Sequence, residues 1–136
     1  MMFQRKVMAV ITAVALMGGL FQVSSVLASA PTPLVEGRSE YRRIDSVHRY
    51  VLDVDSRTRL QVESRVWAGT SPNTVSLRAV LFDDEHKRVA EGRNRRGLFV
   101  LEELLEAGRY TLEVRGRHLG GKQESSNHYY LTVRMD

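Results

Sequence analysis

The sequence predicts an all-β chain that folds as an antiparallel sandwich of seven or eight short strands. Three observations carry this. Apolar and polar residues alternate with period two in one segment after another, the pattern of half-buried strands. Gly, Pro, Asn and Ser clusters punctuate those segments at short intervals, as turns do. The one stretch of helix-forming composition, Val100 to Glu106, is shorter than two turns and has no convincing cap.

In chain order, Arg5 and Lys6 form a positive start, Val7 to Phe21 an almost unbroken apolar run, and small residues follow at Ser24, Ser25, Ala28, Ser29 and Ala30. This is a secretory signal pattern. A membrane anchor needs roughly 20 apolar residues, and Gly18-Gly19 and Gln22 interrupt this run too early. Pro31 disfavours cleavage after Ala30, since it has a fixed φ and no N–H. Residues 1–28 are therefore expected to be removed after Ala28, leaving no membrane span and a periplasmic or secreted chain.

Residues 29–43 carry Pro31, Pro33, Gly37 and Ser39 among charges, and are expected to form a flexible leader or an edge strand. The domain proper is expected over 44–136. Tyr50, Leu52 and Val54 share one face of a strand that starts at Val47, and Ser56-Arg57-Thr58 breaks it. Leu60, Val62, Ser64 and Val66 then alternate with Gln61, Glu63 and Arg65, and the two strands are expected to pair antiparallel. Trp67 ends the second, before a loop with Gly69, Pro72 and Asn73.

Val75 to Phe82 places Val75, Leu77, Ala79 and Leu81 on one side, and its second half reads as covered on both faces. Asp83-Asp84-Glu85-His86 is a turn into Lys87–Glu91. Gly92-Arg93-Asn94-Arg95-Arg96-Gly97 is expected to be an exposed loop, and Leu98 to Leu105 a returning strand. Gly108 is suited to positive φ in the turn that enters the next strand, where Tyr110, Leu112 and Val114 alternate with Thr111, Glu113 and Arg115. Tyr110 is expected to cover the core edge with its hydroxyl in water. A polar loop from Gly116 to Asn127 precedes the last strand, Tyr129 to Val133.

Four of these pieces, in order, resemble the bacterial pre-peptidase C-terminal domain family. They are Tyr50-Val51-Leu52-Asp53-Val54, Leu77-Arg78-Ala79-Val80-Leu81-Phe82-Asp83, Leu105-Glu106-Ala107-Gly108-Arg109-Tyr110-Thr111-Leu112-Glu113-Val114, and Tyr130-Leu131-Thr132-Val133. They match that family's Y-x-F-x-V, L-x-L-Y-D, L-P-A-G-x-Y-x-L-x-V and Y-x-L-x-V segments. The resemblance covers roughly Ile44 to Val133. It implies a jelly-roll-like sandwich acting as a non-catalytic binding or secretion-associated module, with calcium held by clustered carboxylates in some relatives. Two features depart from it: the sandwich is expected to stand without a protease domain, and Thr74-Val75-Ser76-Leu77 is found where the family has D-x-D-L.

Composition narrows the chemistry. Two of the 20 Lys and Arg lie in the signal segment and none of the 16 Asp and Glu does, so the remainder carries 18 against 16, a net +2. Its cations are mostly Arg, suited to planar bidentate contacts, but they are spread along the chain, which argues against a nucleic-acid groove. Cysteine is absent, so no disulfide or cysteine-borne lipid anchor holds the fold.

Scattered histidines, His48, His86, His118 and His128, with no G-x-S-x-G elbow give no nucleophile and base arrangement. Only a hard cation such as calcium suits Asp83, Asp84 and Glu85 at their turn, although Asp is also an ordinary turn residue. Arg93, Arg95 and Arg96 form the densest basic cluster, with Arg115, Arg117 and His118 as a second contributor, suited to an anionic glycan or protein surface or simply to a solvated loop; Trp67, at the end of an amphipathic strand, is expected to pack at the core or its rim, with a sugar platform or partner anchor as the alternative. The sequence thus favours an exported, non-catalytic module for a protein or glycan of the cell envelope or beyond. A small extracytoplasmic enzyme or enzyme inhibitor, or a calcium-stabilised structural subunit, are the alternatives.

Overall fold

The computed structural model describes residues 30–67, 74–119 and 127–136. The signal segment 1–28, the loop after Trp67 and most of the polar loop before Asn127 lie outside the described residues. The strands are β1 (Thr32–Pro33), β2 (Gly37–Arg38), β3 (Arg42–Arg43), β4 (Val47–Val54), β5 (Thr58–Val66), β6 (Val75–Phe82), β7 (Arg88–Glu91), β8 (Arg93–Arg95), β9 (Leu98–Leu105), β10 (Gly108–His118) and β11 (His128–Met135). They form two sheets. The first has the order β1-β4-β10-β6-β7, and the second β2-β11-β5-β9-β8 with β3 also on β11. The fold is the all-β, jelly-roll-like sandwich the sequence predicts, with eight strands of three residues or more, and three two-residue strands added to their edges.

The core lies between the sheets and follows the period-two pattern. Tyr50, Leu52, Val54, Leu77, Ala79, Leu81, Leu112 and Val114 project from the first sheet, and Leu60, Val62, Phe99, Leu101, Tyr129, Leu131 and Val133 from the second. Each Val, Leu or Phe side chain removed from water contributes about 1.5–3 kcal/mol, so the facing rows hold the sheets together without a disulfide.

The expected pairing of the segments at Val47–Val54 and Thr58–Val66 is corrected. β4 pairs with β10, and β5 with β11 and β9. The link between them carries the chain over the sandwich edge from one sheet to the other, so their apolar faces meet across the core instead of side by side. Period-two alternation is the same for both arrangements, which is why it did not distinguish them. The segment given as a flexible leader or edge strand carries β1, β2 and β3. β1 runs parallel to β4, with the Leu34 N–H bonded to the Val51 carbonyl at 2.8 Å, and Leu34 and Ile44 are buried.

Within the expected loop Gly92–Gly97, Arg93–Arg95 form a strand, and they are exposed as expected. Arg93, Asn94 and Arg95 pair with Val100, Phe99 and Leu98. Gly92 carries the chain between the sheets, and a Cβ there would lie 3.0 Å from the Phe99 ring. Leu98–Leu105 is a strand throughout, as expected.

Tyr110 covers the core edge, as expected. It is buried, and its O–H donates to the Glu106 carbonyl at 2.7 Å. Glu106 and Ala107 connect β9 of the second sheet to β10 of the first, so this bond back to the fourth residue upstream clamps an inter-sheet crossover, as a tyrosine corner does. Gly108 has a φ of +158° beside it.

Candidate functional site

The solvent face of the second sheet gathers the residues that the sequence scatters. Alternation along β5 turns Leu60, Val62 and Ser64 inward and Gln61, Glu63, Arg65 and Trp67 outward. One row crosses the sheet in register: Arg38 opposite Thr132, Thr132 opposite Glu63, Glu63 opposite Val100, and Val100 opposite Arg93. Beside it, Tyr130 is opposite Arg65, and Leu98 opposite Arg95. The Trp67 N–H donates to the His128 carbonyl at 3.0 Å, which extends the β5–β11 ladder by one step. Trp67 is 42% exposed. It therefore shares a face with Arg93 and Arg95, two strands across from them and two residues further along than the row of Arg95.

At the β8 end of this face Glu63, Arg93, Asn94, Arg95 and Val100 line a groove of about 340 Å³. Glu63 is already held by Arg65 at 3.1 Å. Arg93, Arg95 and Arg96 make no ion pair among the described residues, and all three are exposed. Arg96 and Gly97 join β8 to β9 as a two-residue hairpin loop with both φ positive, +53° and +82°. That is the signature of a type I′ turn, whose usual occupants are Asn-Gly or Asp-Gly. The Asn94 side-chain oxygen accepts the Gly97 N–H at 3.3 Å. A left-handed conformation at a long L-residue costs about 1–2 kcal/mol, so Arg96 holds its place against the local preference of the turn.

At the other end stands an aromatic corner that sequence reasoning did not single out. The Arg38 guanidinium lies 4.1 Å from the Tyr130 ring centroid and 5.3 Å from that of Tyr41, and donates to the Tyr41 hydroxyl. The two rings meet edge to face at 5.3 Å. Cation–π contact with two faces orients the guanidinium and leaves Tyr41 44% exposed. The signal was the adjacent pair Tyr129-Tyr130: in a strand, one of two neighbours must face outward.

In the acidic turn the Asp83 carboxylate bonds the backbone. Asp83 Oδ1 accepts the N–H groups of Glu85 and Lys87, both at 2.9 Å, and Glu85 pairs with the Lys87 ammonium at 3.3 Å. The Asp83 carboxylate thus organises the turn, in which His86 has a φ of +61°. Among the described residues, no three His, Cys, Asp or Glu side chains come together as a metal site would need. The expected second basic contributor is split from the first: Arg115 and Arg117 face outward on the first sheet, whereas His118 Nδ1 bonds the Asn127 amide nitrogen at 2.8 Å.

The bonding of His48 works against a role as general base. Its Nε2 lies 2.9 Å from Ser46 Oγ and 3.1 Å from the Arg43 carbonyl oxygen. A carbonyl only accepts, so Nε2 carries a proton and has no lone pair for the serine. Burial lowers the His48 pKa, with the Arg42 charge acting in the same direction and the Arg43 carbonyl and Asp45 opposing it.

No protein family model matches the chain, and no curated protein matches it in sequence. Solved structures do resemble it. The pre-peptidase C-terminal domain of collagenase from Bacillus anthracis superposes with a TM-score of 0.57 at 15% identity, over 78% of this chain and 96% of that one. A periplasmic inhibitor of g-type lysozyme from Aeromonas hydrophila gives a TM-score of 0.49 at 12% identity, over 79% and 96% of the two chains. At 15% identity the first likeness shows the fold alone: the chain has a sandwich like that of a pre-peptidase C-terminal domain.

Proposed function

We propose that this chain is an exported, non-catalytic binding module whose second-sheet face recognises an anionic protein or glycan surface in the cell envelope or outside the cell. The observation that carries this reading is Arg96. It occupies a left-handed turn position where Asn or Gly would be relaxed, next to Arg93 and Arg95, and none of the three has a carboxylate partner among the described residues. Strain held at an exposed residue, with no structural partner to explain it, points to a role in recognition.

The rest of the face supports this assignment. Guanidinium forks take carboxylate, sulfate and phosphate groups bidentately, and Trp67, Tyr41 and Tyr130 supply rigid aromatic area on the same side. A sheet face with arginines along one edge strand and the Arg38, Tyr41 and Tyr130 corner at the other edge suits an extended partner lying across the strands. An accessory role also agrees with the sandwich architecture. The extracytoplasmic address rests on the Arg5 to Ala30 pattern of the sequence.

The test is retention on immobilised heparin, on immobilised poly-glutamate and on neutral dextran. The wild type should bind one of the two polyanions in a salt-sensitive manner and pass through dextran. The Arg93→Ala/Arg95→Ala/Arg96→Ala variant should elute at clearly lower salt. Equal elution of the two proteins would remove the arginine edge from recognition.

A further inference from the structure

On the solvent face of the first sheet, Arg78 of β6 and Arg115 of β10 are direct partners in the antiparallel ladder. Like charges in directly opposed positions destabilise a sheet. Neighbouring pairs on the same face avoid the problem, with Ser76 opposite Arg117 and Val80 opposite Glu113. Arg117 is the next outward residue of β10, so three exposed guanidinium groups crowd one corner.

The carboxylate within reach is already shared. Glu113 takes Arg115 at 2.8 Å through one oxygen and Arg49 at 3.4 Å through the other. Arg78 and Arg117 have no carboxylate partner among the described residues. Ser76, Arg78, Arg115, Gly116 and Arg117 line a notch of about 200 Å³. The strand beneath it is fixed: a Cβ on Gly116 would lie 2.2 Å from the Ile44 carbonyl oxygen and 2.9 Å from Leu77, so the backbone is pressed against the core there. Arg115 therefore cannot draw away from Arg78 by a shift of β10.

We propose that this notch is an oxyanion site for the phosphate or sulfate group of a monoester. Arg78 and Arg117 grip its oxygens, Arg115 borders them while remaining paired to Glu113, and the Ser76 hydroxyl donates from the floor. A tetrahedral oxyanion, singly charged as a sulfate ester and up to doubly charged as a phosphate ester, screens the repulsive cross-strand pair, and guanidinium forks match its oxygens bidentately. The site lies on the opposite sheet from the Arg93, Arg95 and Arg96 edge and does not depend on it. The shared chemistry of the ligand is the tetrahedral ester oxyanion, carried by a sugar or by a lipid headgroup.

The experiment is an NMR amide-shift titration of the whole protein at low ionic strength with glucose 6-phosphate, with glucose 6-sulfate and with glucose, alongside sedimentation with vesicles containing phosphatidic acid. Saturable shifts at Ser76, Arg78, Arg115 and Arg117 with an ester, and none with glucose, are expected. Arg78→Ala and Arg117→Ala should each weaken binding about tenfold, as loss of a charge-assisted pair does. The Arg93→Ala/Arg95→Ala/Arg96→Ala variant should bind the ester as the wild type does, which separates this site from the second-sheet face. Arg78→Ala should also raise the melting temperature of the ligand-free protein and abolish the rise that ester gives the wild type. Vesicle binding that Arg78→Ala removes assigns the ester to a lipid, and ester binding without vesicle binding assigns it to a soluble or glycan-borne group. No saturable shift at millimolar ester, or equal affinity in Arg78→Ala, would overturn the proposal.

Discussion

The Tyr50 hydroxyl lies 3.1 Å from the Tyr129 hydroxyl across the interior of the sandwich. Tyr50 belongs to β4 of the first sheet and Tyr129 to β11 of the second, and both are buried. Burial raises the pKa of each phenol, so both stay neutral and the bond persists across the working pH range. It ties one sheet to the other at the end where the His48 ring lies tilted against that of Tyr129, with centroids 5.9 Å apart.

Removing one hydroxyl leaves the other short of a buried partner. Tyr129→Phe should cost about 1–2 kcal/mol of unfolding free energy. The Tyr50→Phe/Tyr129→Phe double variant should lose less than the sum of the singles, because two apolar rings leave nothing unsatisfied. Denaturant unfolding of the four proteins measures the coupling, and strict additivity would show that the bond carries no stability.

The Tyr110 hydroxyl clamps the Glu106 to Gly108 crossover between sheets. Tyr110→Phe should therefore destabilise by about 1–1.5 kcal/mol while leaving the core contacts of the ring in place. Gly116→Ala should be worse, at about 1–3 kcal/mol or more, since its methyl collides with the Ile44 carbonyl. Urea unfolding orders the two variants, and a harmless Gly116→Ala would contradict the close approach of β10 to Ile44.

Protonation of His48 is disfavoured in the fold, chiefly by burial. The sign follows from linkage. As pH falls through the unfolded value of 6.5, the unfolded chain takes up this proton before the folded one does. The His48 contribution is thus fully present above about pH 6.5 and is lost progressively below it. His48→Gln should flatten the melting-temperature profile between about pH 6.5 and 5, above the range in which carboxylates titrate. An identical slope in both proteins would sink this assignment.

At Arg96 stability and recognition should oppose one another. Arg96→Gly or Arg96→Asn relieves the left-handed strain in the hairpin, and should stabilise by about 0.5–1 kcal/mol. Either change should weaken retention on the polyanion that the wild type binds. A variant that gains stability and binds as before would make Arg96 an ordinary turn residue.

Much of the fold was legible because strands buried on one face write their orientation into the sequence. Tyr50, Leu52, Leu60, Val62, Leu112 and Val114 all face the core as their alternation requires. Which strands pair was not legible: β4 and β5 show the same pattern whether they lie side by side or across the core. Arg93-Asn94-Arg95 has no apolar residue to mark it as a strand, and its backbone pairing with β9 alone makes it one. The arginine cluster and Trp67 were visible individually. Their meeting on one face, with Arg38, Tyr41 and Tyr130, depends on the order β2-β11-β5-β9-β8, which no local pattern encodes. Likewise the opposition of Arg78 and Arg115 is a register fact, set by how β6 lies against β10.

The most direct measurement is an NMR map of amide shifts when the polyanion retained in the column test is titrated onto the protein. Recognition by the second-sheet face predicts saturable shifts on β8, β9 and the outward positions of β5 and β11, including Trp67 and Tyr130, abolished in Arg93→Ala/Arg95→Ala/Arg96→Ala. Shifts confined to the first sheet, or unchanged in that variant, would contradict it.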